Sequence, residues 1–125
     1  MAVGLLDTTI LVDILRGFPP TAVWMQTQVG LGITPPVWME LIGGAQNKSG
    51  QSHALRLLTK FEMVFLAQTD MQWAMQRLLA YKLSHSVGIL DCLIAAPSYR
   101  LQLPLYTTNL KHFAPILGSL AQKPY

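Results

Sequence analysis

Charge is what this sequence has least of. Asp, Glu, Lys and Arg together make up 12 % of its 125 residues, about half the share usual in globular chains, while hydrophobic residues make up 51 %. So little charge leaves apolar surface hard to cover, and part of it is expected to meet a partner chain. Cysteine is nearly absent. Cys92 stands alone, which excludes an internal disulfide and suits a reducing cytoplasm. No basic segment precedes the first apolar run, and Asp7 and Asp13 interrupt that run, so no signal peptide is read. Positions 17 to 39 carry no formal charge, but Pro19, Pro20, Pro35 and Pro36 argue against a membrane span. The expectation is a soluble, cytoplasmic protein of one domain over residues 1–125, long enough to bury a core. The net charge of +3 suits a polyanionic partner such as nucleic acid.

What is present is an alternation of short apolar runs and helical patterns. Val3 to Leu6 reads as a strand that ends at Asp7, followed by a helix over Thr9–Arg16 with Thr8 or Thr9 as its cap and Gly17 as its stop. Pro19-Pro20 opens a second helix to about Val29, completing an apolar hairpin. Leu31–Thr34 is a second strand, and Pro35-Pro36 starts a helix at about Val37–Ala45. A loop over Asn47–Ser52 leads to a helix from His53 to about Lys60, and Glu62–Ala67 reads as a third strand. Asp70 suits the cap of a helix whose Met71, Ala74, Met75, Leu78 and Leu79 follow a core-facing stripe. Ile89–Ala96 is an apolar helix that Pro97 should bend or end. Leu103–Tyr106 is a fourth strand with Thr107-Thr108-Asn109 as its exit, and the remainder is expected to add an edge strand or turn. Strands alternating with helices predict a three-layer α/β/α domain around a mostly parallel sheet.

Only six acids are available: Asp7, Asp13, Glu40, Glu62, Asp70 and Asp91. Asp70 reads as a cap, and Asp13 and Glu62 as solvated positions. The other three sit among apolar neighbours, where a carboxylate is expensive unless it is paired or binds a metal. No Lys or Arg lies within a helical turn of Glu40 or Asp91. Converging carboxylates repel one another, and a hard cation such as Mg²⁺ or Mn²⁺ relieves that repulsion through oxygen ligands. Asn109 can add a neutral carbonyl oxygen. Taken singly, Asp7 reads as a helix cap, Glu40 as a solvated helix position and Asn109 as a turn residue. His53, His85 and His112 share no ligand spacing and read as surface or turn residues, with His112 and Lys111 in a solvated loop.

Four segments in order carry a resemblance: Leu5-Leu-Asp7-Thr-Thr-Ile-Leu-Val-Asp13, Pro36-Val-Trp-Met-Glu40-Leu-Ile-Gly-Gly-Ala45, Gly88-Ile-Leu-Asp91-Cys-Leu-Ile-Ala-Ala96 and Leu103-Pro-Leu-Tyr-Thr107-Thr-Asn109-Leu-Lys-His-Phe113. The chain resembles, end to end, the PIN-domain family and its VapC-type toxins of toxin–antitoxin pairs. The resemblance implies a metal-dependent endoribonuclease that hydrolyses RNA phosphodiesters. Asp7, Glu40 and Asp91 would be the metal-binding triad and Asn109 the fourth site, often Asp in the family. Thr8 and Thr107 would support these ligands through hydroxyl hydrogen bonds. It also implies a homodimer and a small antitoxin bound near the N-terminal hairpin. A PIN-like module that binds RNA or protein without cutting is the alternative, motivated by Asn109 and the low charge. A phosphatase of the Asp-x-Asp type is disfavoured, because Thr9 stands where its second Asp belongs.

Overall fold

Gly4–Leu6, buried along its whole length, is the middle strand (β1) of a five-stranded sheet in this computed structural model, which describes all 125 residues. Thr8–Leu15 (α1) and Pro19–Met25 (α2) lead to β2, Leu31–Ile33, and then Pro35–Gly43 (α3) and Lys48–Leu58 (α4) lead to β3, Glu62–Met63. The long helices Gln68–His85 (α5) and Ile89–Leu101 (α6) carry the chain back to β4, Leu105–Tyr106. Leu110–Leu117 (α7) and a short 3₁₀ turn end in β5, Ala121–Gln122. Every strand pair is parallel, in the order β3-β2-β1-β4-β5, with Leu5 opposite Gly32 on one side and Leu105 on the other.

Parallel strands need covered crossovers, and those crossovers are right-handed almost without exception. The path from β1 to β3 runs toward one edge and the path from β3 to β5 toward the other. That places α1–α4 on one face and α5–α7 on the opposite one, and the helices of each set pack on one another. Leu5, Ile10, Leu11, Ile33, Val37, Ile94, Leu105 and Phe113 fill the core on both faces. The expected three-layer architecture is present, with a sheet that is wholly parallel. No helix is long and apolar enough to cross a membrane.

Several local expectations need correction. Asp7, not Thr8 or Thr9, is the cap of α1, while Arg16 and Gly17 at φ +74° end that helix. The α4 helix begins five residues before His53, because Asn47 caps it by accepting the Gly50 N–H at 2.8 Å. The third strand stops at Met63, leaving Phe65 exposed. The α6 helix continues through Pro97 to Leu101. Pro97 and its neighbours Ala95, Ala96 and Ser98 are buried in a helix that packs on α5 and α7, and that burial outweighs a penalty of about 3 kcal/mol. The edge strand expected after Asn109 is present as β5, but an unexpected helix, α7, precedes it, although Pro115 lies inside that helix.

The α5 stripe is also rotated from its expected facing. Ala74 is buried and Leu78 and Tyr81 pack against the core, whereas Met71, Met75 and Leu79 are exposed, Leu79 at 87 %. Asp70 is not the cap of α5 but its third residue, where its Oδ2 accepts the Ala67 N–H at 2.8 Å. It is 1 % exposed and paired with Arg100 Nε at 2.9 Å. Asp13, expected to be solvated, is 8 % exposed and accepts the Tyr125 hydroxyl at 2.8 Å and Arg16 Nε at 3.0 Å. Glu62 is exposed as expected, 3.4 Å from the N-terminal ammonium.

Candidate functional site

The direction of chain travel reverses between β1 and β4, and in open parallel sheets ligands bind beyond the carboxyl ends of strands at such a switch point. Asp7 follows β1 and Thr107 follows β4, so both emerge there. Asp7 has extended backbone, which aims its side chain back at the first turn of α1, where Oδ1 accepts the Thr8 N–H at 2.8 Å. Its Oδ2 accepts the hydroxyls of Thr9 at 2.9 Å and Thr107 at 2.8 Å. Those hydroxyls in turn accept the N–H groups of Thr108, at 3.1 Å, and Asn109, at 2.8 Å. The exits of two adjacent strands are thus bound together around one carboxylate.

Burial pushes the Asp7 carboxyl above its ordinary value. The hydrogen bonds from Thr107, Thr9 and Thr8 oppose that rise, and the charge of Glu40 adds to it. Glu40, exposed on α3, accepts the Thr8 hydroxyl at Oε1. Asp91 is the third residue of α6 and accepts the Gly88 N–H at 2.9 Å through Oδ2. A Cβ at position 88 would stand 3.3 Å from that oxygen, so a glycine lets the carboxylate lie close to the backbone. Asn109 precedes α7, and its Nδ2 is 3.1 Å from Nδ1 of His112, one turn on.

Asp7, Glu40, Asp91 and Asn109 all line one cavity of about 530 Å³ at this edge of the sheet. Arg16 is the only Lys or Arg among the lining residues, and its Nε is held by Asp13. As the side chains are placed, no three His, Cys, Asp or Glu groups stand close enough to enclose one ion. The donor chemistry nevertheless fits a hard divalent cation. Three carboxylates and an amide oxygen share the cavity, and neither Asp7 nor Glu40 has a basic side chain as a partner.

Two contributors were not legible as such in the sequence. Thr9, which disfavours the Asp-x-Asp pattern, makes the same kind of bond to Asp7 as Thr107 does. His112, read as a loop residue, touches both Asn109 and Asp91, the latter with Nδ1 3.3 Å from Oδ2. Its i, i+3 spacing from Asn109 was the available signal, hidden by the unrecognised α7. Cys92 is buried, and burial first and Asp91 second push its thiol up, which suits packing rather than attack.

No protein-family model matches the sequence. The chain is 34 % identical to Ribonuclease VapC19 of Mycobacterium tuberculosis over 127 positions, spanning 97 % of this chain and 98 % of that protein. Among solved structures it is similar to a toxin–antitoxin complex from Klebsiella pneumoniae, with a TM-score of 0.76, 24 % identity and 98 % of both chains covered. DNA-bound VapBC from Salmonella typhimurium gives 0.73 at 22 % identity, covering 94 % of this chain and 95 % of that one. At those identities the structural likeness speaks for the fold, that of a PIN-like α/β domain. Through its full-length identity with the mycobacterial protein, the chain belongs to the VapC family.

Proposed function

We propose that this protein is a metal-dependent endoribonuclease that hydrolyses RNA phosphodiester bonds and acts as the toxin of a toxin–antitoxin pair. The observation that carries this reading is the meeting of Asp7, Glu40, Asp91 and Asn109 around one cavity at the switch point of the sheet. The names of its relatives support it, a ribonuclease on one side and toxin–antitoxin complexes on the other. Acting on cellular RNA, it would work in the cytoplasm, where the free Cys92 thiol is stable.

Asp7, Glu40, Asp91 and Asn109 would hold Mg²⁺ or Mn²⁺. Such a cation supplies Lewis-acid polarisation of a phosphodiester and neutralises the charge that develops as it is cut. The chain's own contribution is to fix the oxygens beforehand. Thr9 and Thr107 lock Asp7, Thr8 restrains Glu40, and the Gly88 N–H holds one oxygen of Asp91. Arg16, anchored by Asp13, leaves the rest of its guanidinium for a phosphate.

Two surfaces fit the partners. An apolar cavity of about 610 Å³ under the α1–α2 hairpin, lined by Ile14, Phe18, Met25 and Leu57, suits an apolar antitoxin segment. The unpartnered face of α5, with Met75, Leu79 and Leu83 exposed at 71, 87 and 97 %, suits a second copy of the chain.

The test is cleavage of a mixed RNA pool by antitoxin-free protein, with Mg²⁺ or Mn²⁺ and with EDTA, against folded Asp7→Ala and Asp91→Ala. Metal-dependent cutting by wild type, lost in both variants, is expected. RNA binding without cutting by folded wild type would overturn the nuclease and favour the non-cutting module. The neutral Asn109 and the spread of the carboxylates are what motivate that second reading.

A further inference from the structure

Asn109 has an ambiguity that an aspartate lacks. A carboxylate offers oxygen from either end, whereas an amide offers oxygen from one end and N–H from the other. Turned the wrong way, Asn109 would present donor hydrogens to a cation. Something must choose the orientation, and the choice depends on what the amide meets on its far side.

That neighbour is His112, one turn along α7, whose Nδ1 is 3.1 Å from Asn109 Nδ2. In the neutral imidazole with its proton on Nε2, Nδ1 is an acceptor and takes the amide N–H. The reverse orientation would set the Asn109 oxygen against the same lone pair. Asp91 Oδ2 lies 3.3 Å from Nδ1, farther than Asn109, and already accepts the Gly88 N–H at 2.9 Å. With Asn109 Nδ2 facing it, Nδ1 does not also carry a proton toward Asp91, because that proton would confront the amide N–H. The backbone of Asn109 is fixed independently, its N–H bound to Thr107 Oγ1 at 2.8 Å, so amide rotation is the freedom that remains.

We infer that His112 is a positioning residue: by accepting the Asn109 amide N–H at Nδ1 it turns Asn109 Oδ1 away from itself and toward the cation site. His112 would then compensate for the amide that stands at the fourth ligand position. The inference rests on the reading of Asn109 as an oxygen ligand, and the test separates the two.

The experiment is Mn²⁺ binding by calorimetry to antitoxin-free protein, with folding of each variant checked by circular dichroism. Asn109→Ala should weaken Mn²⁺ binding about 10- to 100-fold, and His112→Ala about tenfold. The decisive arm is Asn109→Asp, whose carboxylate needs no orienting. Adding His112→Ala to Asn109→Asp should change affinity less than about twofold. Unchanged binding in Asn109→Ala would overturn the ligand reading itself. Normal binding in His112→Ala, with weakened binding in Asn109→Ala, would overturn only the role of His112. An equal loss from His112→Ala in both backgrounds would also overturn it, by showing that the imidazole acts without the amide. Should the Ala variant unfold, His112→Phe keeps an aromatic ring at the position and removes the acceptor, with the same expectations.

Discussion

Thr107 donates its hydroxyl to Asp7 Oδ2 at 2.8 Å across 100 positions of sequence, and both residues are almost wholly buried. The bond joins β1 to β4 where the sheet changes direction, so it serves packing and site together. Thr107→Val keeps shape and removes the hydroxyl. It leaves Asp7 short of a donor and frees the Asn109 N–H. Ribonuclease activity and Mn²⁺ affinity should each fall about 10- to 100-fold with the fold retained, as measured by initial rates and calorimetry. Wild-type activity in a folded Thr107→Val would mean that Asp7 needs no outer support.

Asp7 gives the metal-free protein a pH dependence. Its folded carboxyl is raised above the ordinary 3.8, chiefly by burial, so the folded state holds the proton more tightly than the unfolded one. The stabilising contribution is full below that ordinary value and is lost as pH rises through the higher folded value. Asp7→Asn carries no such charge, and threonine hydroxyls can accept as well as donate. Without metal, this variant should exceed wild type in melting temperature at pH 7 but lose the advantage near pH 3. Mn²⁺ should stabilise wild type and leave the variant unmoved.

The Asp70–Arg100 pair holds α5 to α6 away from the acidic cavity. Arg100→Met retains much of the stem and strands a carboxylate that is 1 % exposed. The loss should be about 3 kcal/mol in urea unfolding, with little change in Mn²⁺ affinity. Because Arg100 is partly exposed, raised salt should weaken the wild-type pair only modestly.

The exposed α5 face predicts self-association. Leu79→Lys with Leu83→Lys should weaken the dimer at least about 30-fold in sedimentation, without affecting the monomer's melting temperature. Monomeric wild type at high concentration would remove the second copy from that face.

The parallel sheet was legible because β1, β2 and β4 are apolar runs that stop at polar residues, and strands alternating with helices leave few other architectures. The facing of α5 was not. Its inward Ala74, Leu78 and Tyr81 and its outward Met75, Leu79 and Leu83 each make an apolar stripe, and periodicity cannot choose between two such stripes. Helix α7 and the end of α6 were obscured by Pro115 and Pro97, whose local penalty is overcome by packing that no local pattern reveals. The buried roles of Asp13 and Asp70 depend on Tyr125 and Arg100, 112 and 30 positions away. Within the candidate site, the acids stood out by their apolar neighbours, while Thr9 and His112 became visible only through the contacts they make.

Tyr125 also has a consequence for the order of events during synthesis. Its hydroxyl is bonded to Asp13, and its ring lies beside Phe18 and Trp24, with centroids 6.0 and 6.1 Å away. The N-terminal hairpin therefore lacks this support until residue 125 arrives, and Asp7 lacks its bond from Thr107 until residue 107 does. A nascent chain on the ribosome carries Asp7 with only its neighbours Thr8 and Thr9 to hold it until the exit of β4 has been made. For a protein whose activity would threaten the cell that makes it, the long sequence separation within the site defers that danger until the second strand exit has been made.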